Sequence, residues 1–136
     1  MLKKLALPAI ALILVVFAGI MTVNNPPSFL YGKLPFQSLS KQSVVILIKD
    51  SPHPITKLTV EDGYTWYGAK ADQGKEIDSL LSAMKKNGWS FIQQEGAGYF
   101  FEQGSEKIVI TSQTWSNRHV FFKVPVTNPP ITLSSN

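Results

Sequence analysis

His53 and His119 are the only imidazoles in the chain, and it contains no cysteine. Thiol nucleophiles are therefore excluded, and a Ser-His-Asp hydrolase would have to work through one of these two histidines. His53 sits between Pro52 and Pro54 in a turn, His119 opens the last expected strand, and no Gly-x-Ser-x-Gly elbow accompanies either. Asp50 with His53, and Glu61 with Asp62, could touch a metal, but neither pair supplies the three or four convergent ligands of a specific site. Turn polarity accounts for both. Gly96-Ala97-Gly98 lacks the following helix that would make a glycine loop a phosphate cradle, so it reads as a tight connection. Asp72 and Glu76 lie one helical turn apart on an expected solvent side and read as the charged start of a capped helix. No catalytic residue, metal ligand or cofactor is expected, and the chain reads as non-enzymatic.

The aromatic residues carry the other possible chemistry. Trp and Tyr side chains beside amides and acids can stack on sugar rings. Trp89 and Tyr99 fall on the apolar face of expected strands, where core packing explains them. Trp66, in Gly63-Tyr64-Thr65-Trp66-Tyr67-Gly68, and Trp115, in Thr114-Trp115-Ser116-Asn117 at a hairpin tip, are freer and are the candidate ligand-stacking residues.

The chain has to place these groups relative to a membrane. Of the first 23 residues, 18 are hydrophobic, and residues 5–23 carry no charge. As a helix that stretch would be about 28 Å long, close to the roughly 30 Å of a bilayer's hydrocarbon. Pro8 falls in its first turn, where a missing amide proton costs little, and Asn24-Asn25-Pro26-Pro27 stops continuation. Lys3 and Lys4 precede the segment and no charge follows until Lys33, so the positive-inside bias puts residues 1–4 in the cytoplasm and the rest outside. The rival is a cleaved signal peptide with Val16-Phe17-Ala18 before the cut, which would leave a secreted domain; the apolar run through Ile20 and Met21 argues against it. The expected partner of residues 5–23 is the lipid bilayer, as a single-pass signal anchor.

Lys3 and Lys4 also supply half of the net charge of +4, so the exported part is nearly balanced and no nucleic acid is expected as partner. Without cysteine, no disulfide can staple that part, which suits a bacterial cell-envelope protein better than a small eukaryotic secreted one.

Residues 24–42 hold three prolines and read as a juxtamembrane spacer, although Phe29, Leu30, Tyr31, Leu34 and Phe36 could pack back on the domain or sit among lipid headgroups. The domain proper is expected over residues 43–126. Ser43–Lys49 is a β-branched run of strand length, and Ile55–Val60 and Tyr64–Lys70 flank an Asp62-Gly63 hairpin signal. Residues 73–87 place Ile77, Leu80, Leu81 and Met84 on one helical stripe, with Asp72 as cap and Asn87-Gly88 as left-handed stop. Four short-looped strands follow: Trp89–Gln94, Tyr99–Gln103, Glu106–Gln113 and Arg118–Val124. Pro125 ends the order, leaving residues 127–136 as a disordered tail.

The expected fold class is α+β: a transmembrane helix, then an antiparallel sheet with one helix on one face, in the order β-β-β-α-β-β-β-β. By strand parity, Trp89, Phe91, Tyr99, Phe101, Ile108, Ile110, Val120, Phe122 and Val124 make the core face. The opposite face is polar except for Ile92, Phe100, Val109 and Phe121, one apolar residue per strand. If those four lie level they form a stripe that needs either a cover from the Phe29–Phe36 arm or the Ile55–Lys70 strand pair, or else a docking partner, unless a bulge breaks the parity. The expected function is a membrane-anchored interaction domain binding itself or another envelope protein, with a cell-wall glycan module as the alternative.

Overall fold

The computed structural model describes residues 2–24 and 27–134. They fall into two units, Met1–Tyr31 and Gly32–Asn136. In the first, α1 (Leu2–Asn24) is followed by a short 3-10 turn at Ser28–Leu30. Every side chain from Leu7 to Ile20 is exposed, and so are Phe29 and Leu30. Among the described residues no helix is long and apolar enough to cross a membrane. The stretch with described side chains, residues 7–20, would cover about 21 Å. The ends of the span expected over residues 5–23 lie outside it.

The second unit is α+β. Its elements are α2 (Lys41–Asp50), β1 (Ile55–Glu61), β2 (Tyr64–Lys70), α3 (Lys75–Lys86), β3 (Ser90–Glu95), β4 (Gly98–Gln103), β5 (Glu106–Trp115) and β6 (His119–Pro125). The six strands form one antiparallel sheet in the order β1-β2-β6-β5-β4-β3. The β1–β2 hairpin turns at Asp62 and Gly63, both at positive φ, as a two-residue hairpin turn requires. β3 to β6 run as the expected meander, and β2 then pairs with β6, so the two hairpin blocks join through strands far apart in sequence.

The element order differs from expectation at its start. Ser43–Lys49, read as a strand, lies inside α2. The Ser40 side chain caps the helix by accepting from the Ser43 amide at 3.1 Å, and the helical spacing puts Val44 and Ile48 on one buried stripe. β-branched residues favour strands only weakly, and a cap plus a buried face overrides that preference.

α3 lies against the core face. Leu80, Ala83 and Met84 are buried with Tyr99, Phe101, Ile110, Val120, Phe122 and Val124, and Ile77 and Leu81 pack at the margin. The helix starts later than expected. Its cap is Gly74 at φ 90° rather than Asp72, whose carbonyl accepts from the Lys75 amide and whose own amide donates to Glu76. At the other end Gly88, at φ 82°, makes the anticipated left-handed stop.

Residues 127–134 are not a loose tail. Ile131 and Leu133 are buried in the core, Asn87 bonds both the amide and the carbonyl of Thr132, and Tyr67 donates to the Ile131 carbonyl. The segment is a strap along the same side as α3. A sequence of prolines and small polar residues hides this, because the strap is held by two buried side chains and by long-range hydrogen bonds. Residues 135–136 lie outside the described set.

Candidate functional site

The sheet's second face is covered over one half only. Gly32–Phe36 and α2 lie over β1, β2 and β6. Phe36 is buried with its ring 5.5 Å from Trp66 and 5.6 Å from Phe121, and Trp115 stacks on Phe121 at 5.2 Å. The Trp115 indole donates to the Gly32 carbonyl at 3.0 Å, and the Gly32 amide donates to Ser116. Farther along, the Glu61 carboxylate accepts from the amides of Gln37 and Ser38, bonds that hold its pKa below the usual carboxylate value. Ile48 of α2 rests on Gly68. The arm thus covers the face with Gly32–Phe36, while Phe29 and Leu30 stay exposed.

Beyond Trp115 at the end of β5, this face has no covering segment among the described residues over the rest of β5, β4 and β3. Phe100 and Val109 stand directly opposite one another and flank Gly98, where an added Cβ would come within 3.5 Å of both. Ile92 lies at a bulge in β3; Ile92 and Val109 are 43% and 39% exposed, while Phe91 is on the other face against Phe101. β3 is the sheet edge, and every residue of it is exposed.

The expected four-residue stripe is therefore split. Phe100 and Val109 are together and Ile92 is on the adjacent strand. Phe121 pairs instead with Gln113, farther along β5, and is fully buried beneath Phe36 and Trp115. Parity holds for Phe100, Val109 and Phe121 but breaks at the β3 bulge, after which Gln94 is opposite the core residue Tyr99; the level fails as well, because the β5–β6 register sets Phe121 beyond the end of the open patch. Trp66 and Trp115, expected to be exposed, are 8% and 2% exposed. Both serve the covered aromatic cluster, and only Trp66 borders open space.

That space is a groove of about 430 Å³ where the arm stops, lined by Pro35, Trp66, Thr111, Ser112, Gln113 and Lys123. Trp66 pairs with Lys123 and Lys123 with Thr111, so the three form one row across β2, β6 and β5. The Lys123 ammonium lies 4.0 Å from the Tyr64 ring centroid and 5.7 Å from that of Trp66, within cation–π range. Parity puts Lys123 and Thr111 on this face, but their meeting with Trp66 depends on the β2–β6 pairing, for which the sequence has no local signal.

The titratable candidates are dispersed. His119 is buried against Trp115, and burial first, then the charges of Arg118 and Lys70, push its pKa below the usual imidazole value. His53 borders a different cleft of about 370 Å³, shared with Asp72, Glu76 and Ser79. The polar groups there are committed to the helix start: Ser79 donates to the Lys75 carbonyl, Glu76 accepts from the Asp72 amide, and Asp72 pairs with Lys75 at 3.4 Å. Asp62 holds the β1–β2 turn, and Gly96 and Gly98 bracket the β3–β4 turn. Asp50 ends α2 and is exposed. Among the described residues no group of three His, Asp or Glu side chains could hold a metal ion.

Comparison with known proteins matches the chain to no protein family, no curated protein and no solved structure.

Proposed function

We propose that the chain is a membrane-anchored, non-enzymatic interaction domain of a bacterial cell envelope, and that it binds a protein through the open half of the second face. One observation carries the binding claim: the same sheet face is closed by an arm and a helix over β1, β2 and β6, yet leaves Ile92 and Val109 exposed and Phe100 half-buried beside β3, an edge strand unpaired on its outer side among the described residues. Exposed apolar clusters of this kind mark interaction sites. On this face Glu102 is opposite Lys107 at one end of the patch and Lys123 is opposite Thr111 at the other, so the rim carries both signs and a second copy or another envelope protein can meet it.

The anchor is α1. A helix apolar on every side with all of its described side chains exposed needs a nonaqueous surrounding, and residues 5–23 have the composition of a span. Lys3 and Lys4 then hold the amino terminus in the cytoplasm and the second unit outside. A cleaved leader gives the same exported domain without the tether, and a shortened product in the medium on immunoblotting would show that form.

Replacing Phe100 and Val109 together by Ser tests the binding claim. The doubly substituted protein is expected to keep its far-UV circular dichroism and its cooperative melting while losing association. Collapse of the fold would mean that the patch is part of the core, and retained association would place the contact elsewhere.

The second reading, a glycan-binding module, is favoured by the groove beside Trp66. Of the two expected stacking residues, Trp66 alone reaches it, and Trp115 is enclosed.

A further inference from the structure

We infer that the groove at Trp66 is a site for an acidic saccharide, with Lys123 as the group that reads the acid. The inference rests on the glycan reading and narrows it to sugars bearing a carboxylate. Three features of the groove point to this class. Its lining carries the Thr111 hydroxyl and the Gln113 amide, neutral donors and acceptors that match sugar hydroxyls, while the Ser112 hydroxyl is turned to the Ala97 carbonyl. Pro35 and the edge of Trp66 supply apolar walls for the C–H faces of a pyranose ring. Lys123 supplies the one charge, and none of the lining residues carries a carboxylate to neutralise it. At about 430 Å³ the groove is within the roughly 300–1,000 Å³ of small-ligand sites.

Lys123 is held in place. Its position between Trp66 and Thr111 is fixed by strand pairing on both sides, and its ammonium is drawn over the Tyr64 ring at 4.0 Å. Among the described residues Lys123 makes no salt bridge, so an arriving acid displaces no carboxylate from it. The cation is oriented by a π face, which leaves its N–H groups available to the ligand. An acidic peptide would satisfy Lys123 and meet Thr111 and Gln113 with its amides, but it brings no pyranose C–H face to Pro35 and Trp66, which is why the sugar is favoured.

The test uses the full chain in detergent, with Trp fluorescence and isothermal calorimetry as readouts. The probe is the disaccharide of N-acetylglucosamine and N-acetylmuramic acid. N,N′-diacetylchitobiose is its neutral match, and lactate alone is the acid without the sugar. The acidic disaccharide is expected to bind at least tenfold more tightly than the neutral one, with lactate inert. Lys123→Gln should lose that preference and Lys123→Arg should keep it, both with unchanged melting temperature. Binding of both disaccharides with no effect of Lys123→Gln would overturn the role of Lys123 and leave the glycan reading standing. Equal displacement by lactate would make the groove an anion site with no sugar preference and overturn the inference. Binding of neither disaccharide would end both.

Discussion

His119 is a residue whose surroundings oppose its charge. It is 8% exposed, tilted against Trp115 at 5.5 Å, and near Arg118 and Lys70, so its folded pKa is lowered from the usual 6.5. The stability it contributes is fully present above pH 6.5, where folded and unfolded states are both neutral. It is lost as the pH falls from 6.5 towards the lowered folded value, because the unfolded chain takes up the proton first. Thermal melts from pH 7.5 to pH 5.0 should show a falling midpoint in the wild type and a flatter profile in His119→Gln; parallel profiles would mean that other groups carry the pH dependence. Both histidines were visible as possible chemistry in the sequence. Burial and charge at His119 were not, because the neighbour Lys70 comes from β2, 49 positions away.

Gly68 shows how one element sits on another. A Cβ there would stand 2.6 Å from Ile48 Cδ1, 2.9 Å from Cγ1 and 3.0 Å from Leu58 Cδ1, so the close seat of α2 on β2 depends on the missing side chain. Gly68→Ala should cost about 1–3 kcal/mol as overpacking. Adding Ile48→Val, which removes the closest atom, should make the pair less destabilising than the sum of the two single changes, measured as a double-mutant cycle in urea. Strict additivity would show that α2 is not seated there. The strap makes a second claim at this scale. Ile131→Ala and Leu133→Ala should each cost about 2–5 kcal/mol, as for core side chains, and not the few tenths expected of a frayed end.

These two elements are also where the sequence was hardest to read. The α3 stripe, the Asp62-Gly63 hairpin and the four-strand meander all have local signals, a 3.6-residue period, a turn dipeptide or short loops, and each forms. The helix over Lys41–Asp50 and the strap over residues 127–134 do not. Val44-Val45-Ile46-Leu47-Ile48 favours a strand by itself, and only Ser40 and the surface around Gly68 make it helical. Ile131 and Leu133 are too few to signal a core contribution until Tyr67 and Asn87 are placed beside them.

Across the whole molecule, parity divided the sheet residues between two faces correctly at nearly every strand, but it could not give the strand order. β2 next to β6 puts Trp66, Lys123 and Thr111 in one row and buries Phe121 under Phe36. A face that looked uniform along the chain is thus half closed and half open. The closed half absorbs both tryptophans first considered for ligand contact. The open half keeps Ile92, Phe100 and Val109 beside the β3 edge, where the bulge after Phe91 disrupts regular pairing and disfavours unselective strand addition.

The central claim is that this open half-face meets a protein in the membrane-bound state. Site-specific photocrosslinking on intact membranes tests it most directly, with a benzophenone amino acid placed in turn at Phe100, at Val109 and, as controls, at Asp62 and Asn117 in exposed turns of the same domain. A discrete adduct of one size from positions 100 and 109, larger than the chain and absent from 62 and 117, is the predicted result. Adducts from the control positions alone, or none from 100 and 109, would contradict it.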